Sequence, residues 1–180
     1  MKNIERIAVL LGLFVTTAIS QSGTGTIADL PAKLQEALQR DSACEKSAHI
    51  APPSSAQFLH TPIVTQEIRG VAGREIGVVV APQGGCHCKG ANCATYVYLK
   101  SGPAYKLAFS RILSSLHPMK AFNGGLPSLT GKLQVDESRT ETTVYDWTGS
   151  AYKAKLCATI TQLTGQKRPT IVRHACGRTP

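Results

Sequence analysis

The chain has 180 residues and a mass of 19.2 kDa, a length that suits one domain rather than two full-sized ones. Hydrophobic residues make up 42% and charged residues 17%, which excludes a disordered chain and a coiled coil, and no apolar run reaches the roughly 18–20 residues a spanning helix needs. The formal net charge is +9, so a partner recognised by charge is an anion.

Residues 1–20 read as a secretory signal peptide: Lys2 and Arg6 open it, Ile7 to Val15 is apolar, and Ala18-Ile19-Ser20 places small residues at the cleavage positions. Cleavage after Ser20 leaves 180 − 20 = 160 residues, enough for a sizeable core, and so short a signal points to a bacterial periplasmic or secreted protein. Residues 21–28 are expected to be a mobile leader, because Ser22 to Thr26 is polar and Gly-rich, and 29–180 to form a single β-rich domain. Asp29 reads as a helix N-cap with Pro31 in the first turn, and Leu30, Leu34, Ala37 and Leu38 recur at helical spacing, which predicts an amphipathic helix over 30–42. Ala51-Pro52-Pro53-Ser54-Ser55 reads as a linker.

Beyond it the pattern is that of strands. Ile63 to Ile68 alternates, and Glu75 to Val80 is a β-branched run ended by Pro82-Gln83-Gly84-Gly85. Thr95 to Leu99 and Ala104 to Phe109 flank a Gly-Pro turn, Asn123-Gly124-Gly125 is a second turn, and strands are expected over 129–135, 141–147, 151–157 and 170–174. With 16 Gly and 10 Pro, the expected fold is mainly β of the α+β kind: an antiparallel sheet of hairpins with one N-terminal amphipathic helix, stapled by disulfides. Asp136-Glu137-Ser138-Arg139-Thr140 reads as a solvated hairpin turn, with too few oxygen ligands for calcium. One internal repeat stands out. Val97 to Lys106 aligns with Val144 to Lys153 at an offset of 47 residues, with seven of ten positions matching or nearly so. Each copy reads as strand, Gly turn, strand, with Tyr105 and Tyr152 packing over the turns and their hydroxyls reaching water.

All six cysteines (Cys44, Cys86, Cys88, Cys93, Cys157 and Cys176) follow the signal, and an even number in an exported domain reads as a disulfide framework with 15 possible full pairings. Cys86 and Cys93 are expected to pair with each other, and Cys88 to reach Cys44 or one of Cys157 and Cys176, since an extended Cys86–Cys88 pair lies near the upper limit for a bond. Three thiols and His87 within 86–93 could also hold zinc or copper or do redox chemistry, but the spacing does not fit a common zinc knuckle, and thiols in an oxidising compartment pair. No Gly-x-Ser-x-Gly elbow, His-Glu-x-x-His or phosphate loop is present, so no catalytic residue, metal or cofactor is assigned.

Charge is unevenly spread. Residues 76–180 carry 13 bases against 4 acids, and no acid follows Asp146. Lys153, Lys155, Lys167, Arg168, Arg173 and Arg178 are therefore the expected binding residues for an anionic partner, an envelope component or an acidic protein rather than nucleic acid.

The helix ending near Cys44, the strand Val78 to Val80, the Gly/Cys loop with Gly85-Cys86 and Asn92-Cys93, and the hairpins Tyr96 to Tyr105 and Trp147 to Tyr152 resemble a loose group of small, mostly uncharacterised exported bacterial proteins. Some of that group are integrin-repeat-like and carry an Asp-rich calcium loop, which Val71-Ala72-Gly73-Arg74-Glu75 replaces here. The resemblance implies neither calcium binding nor an activity. Residue chemistry points to a non-catalytic exported binding or inhibitor-type domain with a basic surface, and the alternative is an envelope redox or metal-binding protein built on the Cys86–Cys93 loop.

Overall fold

The computed structural model of the protein describes residues 22–42, 44, 54–165 and 168–177. The signal segment 1–20 and residues 51–53 of the expected linker lie outside the described residues.

Among the described residues eleven strands form two antiparallel sheets. The first sheet contains β1 (Ser22–Thr26), β2 (Pro62–Arg69), β3 (Glu75–Pro82), β4 (Cys88–Lys89), β5 (Asn92–Ser101) and β6 (Ala104–Leu113). The second contains β7 (Ser115–Asn123), β8 (Leu126–Gln134), β9 (Arg139–Trp147), β10 (Tyr152–Thr161) and β11 (Thr170–His174), a meander in sequence order. Two helices, α1 (Ala32–Asp41) and α2 (Ser55–Leu59), complete the described elements together with 3-10 turns at Ile27–Asp29 and Gly85–His87.

The layers follow from strand alternation. On β5, Ala94, Tyr96 and Tyr98 face one way and pack with Leu34, Ala37 and Leu38 of α1 and Phe58 of α2. Val97 faces the other way and packs with Phe109, Leu129, Tyr145 and Tyr152, which fills the space between the sheets. The first sheet is thus buried on both faces, while the second is buried on one. Gly131 sits where this packing is closest: a Cβ there would lie 3.0 Å from both Leu113 Cδ1 and Tyr145 Cε2.

The mainly β, disulfide-bonded architecture is as the sequence implies. Several details differ. Residues 22–26 are not a leader; they form β1, paired along β2 from Ser22–Gln66 to Thr26–Pro62. Asp29 does not cap α1. Its carboxylate accepts from Thr26 N at 2.7 Å and closes the 3-10 turn, and Pro31 stands at the N-cap of α1. Ser54, read as linker, caps α2 by accepting from Gln57 N, while Gln57 reaches back to Ser54 N at 2.9 Å, a capping box. Tyr152 does not send its hydroxyl to water; it donates to the Pro127 carbonyl at 3.0 Å in the core. The strand β7 was not expected at all.

Candidate functional site

Two features carry chemistry: the cysteine loop beside α1 and the uncovered face of the second sheet.

In the loop, Gly84 (φ 80°) and Gly85 (φ 55°) take left-handed backbone conformations that turn the chain out of β3 into the 3-10 turn carrying Cys86 and His87. Cys88 and Cys93 then stand directly opposite across the β4–β5 hairpin, whose Gly90 (φ 61°) makes the turn, and they form a disulfide. Cys86, one turn earlier, bonds Cys44 just past the end of α1, and Cys157 bonds Cys176. The expected Cys86–Cys93 pair is therefore corrected to Cys88–Cys93, because a two-residue hairpin aligns 88 with 93 and leaves 86 on the helix side. Among the described residues every cysteine is bonded, which fits an oxidising, extracytoplasmic setting.

His87 is 4% exposed. Its Nδ1 lies 3.3 Å from Cys44 Sγ, and its Nε2 is buried without a hydrogen-bond partner. Burial pushes its pKa below the usual imidazole value. Beside it lies a cavity of about 330 Å³, lined on one side by Gly84, Gly85 and Cys86 and on the other by Gln57 and His60. The α1 end of this site is held by Tyr98, whose hydroxyl donates to Asp41 Oδ2 at 3.3 Å, and by Arg40, which pairs with the same carboxylate. Burial, with the Asp41 charge second, pushes the Tyr98 phenol well above its ordinary pKa.

The second sheet's outer face is defined by the register. Arg173, Ala158, Thr142 and Lys132 form one cross-strand row; Ile171, Ile160, Thr140 and Gln134 form the next; Leu156, Val144 and Thr130 form the one on the other side. Lys153 lies on the same face opposite Asp146. Of the six cations expected from the sequence, Lys167 and Arg178 lie outside the described residues. Lys153, Arg168 and Arg173 are exposed and have no ion-pair partner among the described residues. Lys155 differs: its Nζ is 2.6 Å from Asp146 Oδ2, and this bond, with Ser128 donating to Oδ1, holds the Asp146 carboxyl below its ordinary pKa. The cations do not converge on a pocket; Lys153 and Arg173 stand on separate rows with Leu156 between them. Lys132 was missed from sequence, although the alternation of Lys132 with buried Leu129 and Gly131 along β8 was the available signal.

The internal repeat decides how this face is read. In the first copy Tyr98 pairs with Leu107 and Val97 with Phe109, so Ala108 is a β-bulge; in the second, Tyr145 pairs with Ala154 and Val144 with Leu156, so Lys155 is the bulge. Every one of these positions is offset by 47, so the likeness extends beyond the matched residues to the backbone irregularity. Phe109 is buried against Tyr145 with ring centroids 4.7 Å apart, whereas its counterpart Leu156 is 60% exposed.

No protein-family model, curated protein or solved structure matches the chain.

Proposed function

We propose that this is an exported, non-catalytic binding or inhibitor-type domain that uses the outer face of β8–β11 to hold an acidic, partly apolar segment of another protein. The carrying observation is Leu156. It occupies the position that in the first sheet is filled by Phe109 and covered by a second layer, yet in the second sheet nothing among the described residues covers it. On the same face Ile171 of the edge strand β11, opposite Ile160, is likewise 59% exposed, and grouped apolar surface of this kind marks a site of contact. Lys132, Lys153 and Arg173 on this face, with the exposed Arg168 just before β11, set the sign of the partner. A polypeptide is favoured over a lipid surface because β11 is a sheet edge, and only a polypeptide uses an edge's backbone groups as well as its side chains. The bases on the helix side do not compete, since Lys33 pairs with Glu36 and Arg40 with Asp41.

The test is fluorescence anisotropy with a labelled peptide of alternating Glu and Leu, at low and high salt, alongside anionic vesicles. Binding should weaken with salt. It should fall more for the Lys153→Glu, Arg168→Glu, Arg173→Glu triple variant than for Lys33→Glu with Arg40→Glu. Equal losses from the two sets, or binding to vesicles without binding to peptide, would reject the reading.

A further inference from the structure

The structure assigns a second site, independent of the sheet face: Cys44, Cys86 and His87 form a reduction-gated zinc site, closed while the disulfide is intact. The donor atoms of the three residues already lie within 4.8 Å of one another. Zinc bonds of about 2.3 Å to sulfur and 2.0–2.1 Å to nitrogen, at tetrahedral angles, place a sulfur and a nitrogen about 3.5 Å apart. His87 Nδ1 is 3.3 Å from Cys44 Sγ, so this pair needs almost no movement. Once the bond is open, the two sulfurs need part only to about 3.8 Å on the same arithmetic.

His87 is the second observation that points to a ligand. Neither of its nitrogens has an oxygen or nitrogen partner: Nδ1 meets only sulfur, and Nε2 meets no hydrogen-bonding atom. A buried imidazole ordinarily has its nitrogens satisfied, and here none of the described hydrogen bonds accounts for the ring's placement. The three side chains supply three of the four positions of a tetrahedral site. The cavity beside Gly84, Gly85 and His60 leaves the fourth open to water or to an incoming ligand, the arrangement of reactive rather than purely structural zinc.

The chemistry balances with a dithiol as co-reactant. The dithiol is oxidised to its disulfide and delivers two electrons and two protons; the Cys44–Cys86 bond breaks and each sulfur leaves as a thiol. Zinc then displaces both thiol protons to solvent, and His87 binds through Nδ1. A small-molecule disulfide reverses the cycle: it takes up the two electrons and two protons and becomes a dithiol, the Cys44–Cys86 bond re-forms, and the zinc ion is released. Cys88 and Cys93 are not part of the site, since their bond closes within the hairpin.

The experiment is a cobalt(II) titration of the full chain, before and after reduction, read by thiolate-to-cobalt charge-transfer absorption and checked by zinc competition. The reduced protein should take up one equivalent and the oxidised protein none. The band should persist in Cys88→Ser with Cys93→Ser and in Cys157→Ser with Cys176→Ser, vanish in Cys44→Ser with Cys86→Ser, and weaken by at least about tenfold in affinity in His87→Gln. Zinc should also raise the melting temperature of the reduced wild type, which separates a formed site from thiols of an unfolded chain, whose metal binding would lower it. A band that survives loss of Cys44 and Cys86, indifference to His87→Gln, equal binding by the oxidised protein, or a melting temperature that zinc leaves unmoved or lowers would overturn the assignment.

Discussion

Asp136 shows how a side chain that reads as solvated can be structural. Its Oδ1 accepts from Ser138 N, Ser138 Oγ and Arg139 N at 2.8–2.9 Å, and its Oδ2 from Arg139 Nε at 2.5 Å. These bonds, the Arg139 guanidinium first, hold its pKa down to about 2. Both carboxylate oxygens are engaged within the turn. The folded pKa lies below the unfolded value of about 3.9, so the charged form stabilises the fold above that pH, and this support is lost as pH falls through about 2. Asp136→Asn should therefore unfold more readily than wild type in urea at neutral pH and converge with it in strong acid, whereas Glu137→Gln should track wild type throughout. A second single-residue prediction concerns Tyr152. Removing its hydroxyl leaves the buried Pro127 carbonyl unpaired, so Tyr152→Phe should cost about 1–2 kcal/mol in equilibrium unfolding.

At the scale of elements, the three disulfides close loops of very different length. The bridged residues are separated by 42 positions for Cys44–Cys86, 19 for Cys157–Cys176 and 5 for Cys88–Cys93. On the chain-entropy account these constrain the unfolded state by about 4, 3 and 2 kcal/mol, so paired Cys→Ser variants should lose stability in that order in urea titrations. An inverted order would show that native packing around the hairpin outweighs loop closure. The same elements show what the sequence made legible. Most strands were found, because alternating and β-branched runs ended by Gly and Pro specify them locally. What failed was information held across the fold. Ser22 to Thr26 looks like a leader because its polar residues bury little, and only pairing with β2 makes it a strand. β7 was hidden because its second half is exposed and Pro118 interrupts the alternation. The cysteine pairing turned on a hairpin register, and a one-residue choice of turn moves every partner. The buried His87 could not be told from a surface histidine, because its burial depends on a segment 43 residues earlier in the chain.

For the whole molecule, the repeat fixes an order of layers. The helices cover the Tyr98 face of the first sheet, the Val97 face of that sheet meets the Tyr145 face of the second, and the Val144 face of the second is outermost. The two sheets are thus stacked in the same sense rather than face to face, and a stack of this kind has no internal reason to end where it does. Equivalent residues should then have opposite mutational consequences. Phe109→Ala removes a ring buried against Tyr145 and should cost about 3–5 kcal/mol, as for other buried aromatics. Leu156→Ala, 47 positions later at the same place in the hairpin and beside the equivalent bulge, should change stability by no more than about 0.5 kcal/mol, because its side chain is already in water. Its loss should appear instead as weaker retention of the Glu/Leu peptide that persists at high salt, since the lost contact is apolar and is not screened. Urea unfolding of both variants, with the anisotropy titration of the second, makes the comparison. If Leu156→Ala destabilises the domain as much as Phe109→Ala does, the outer face is already covered within the chain and is not where a partner binds.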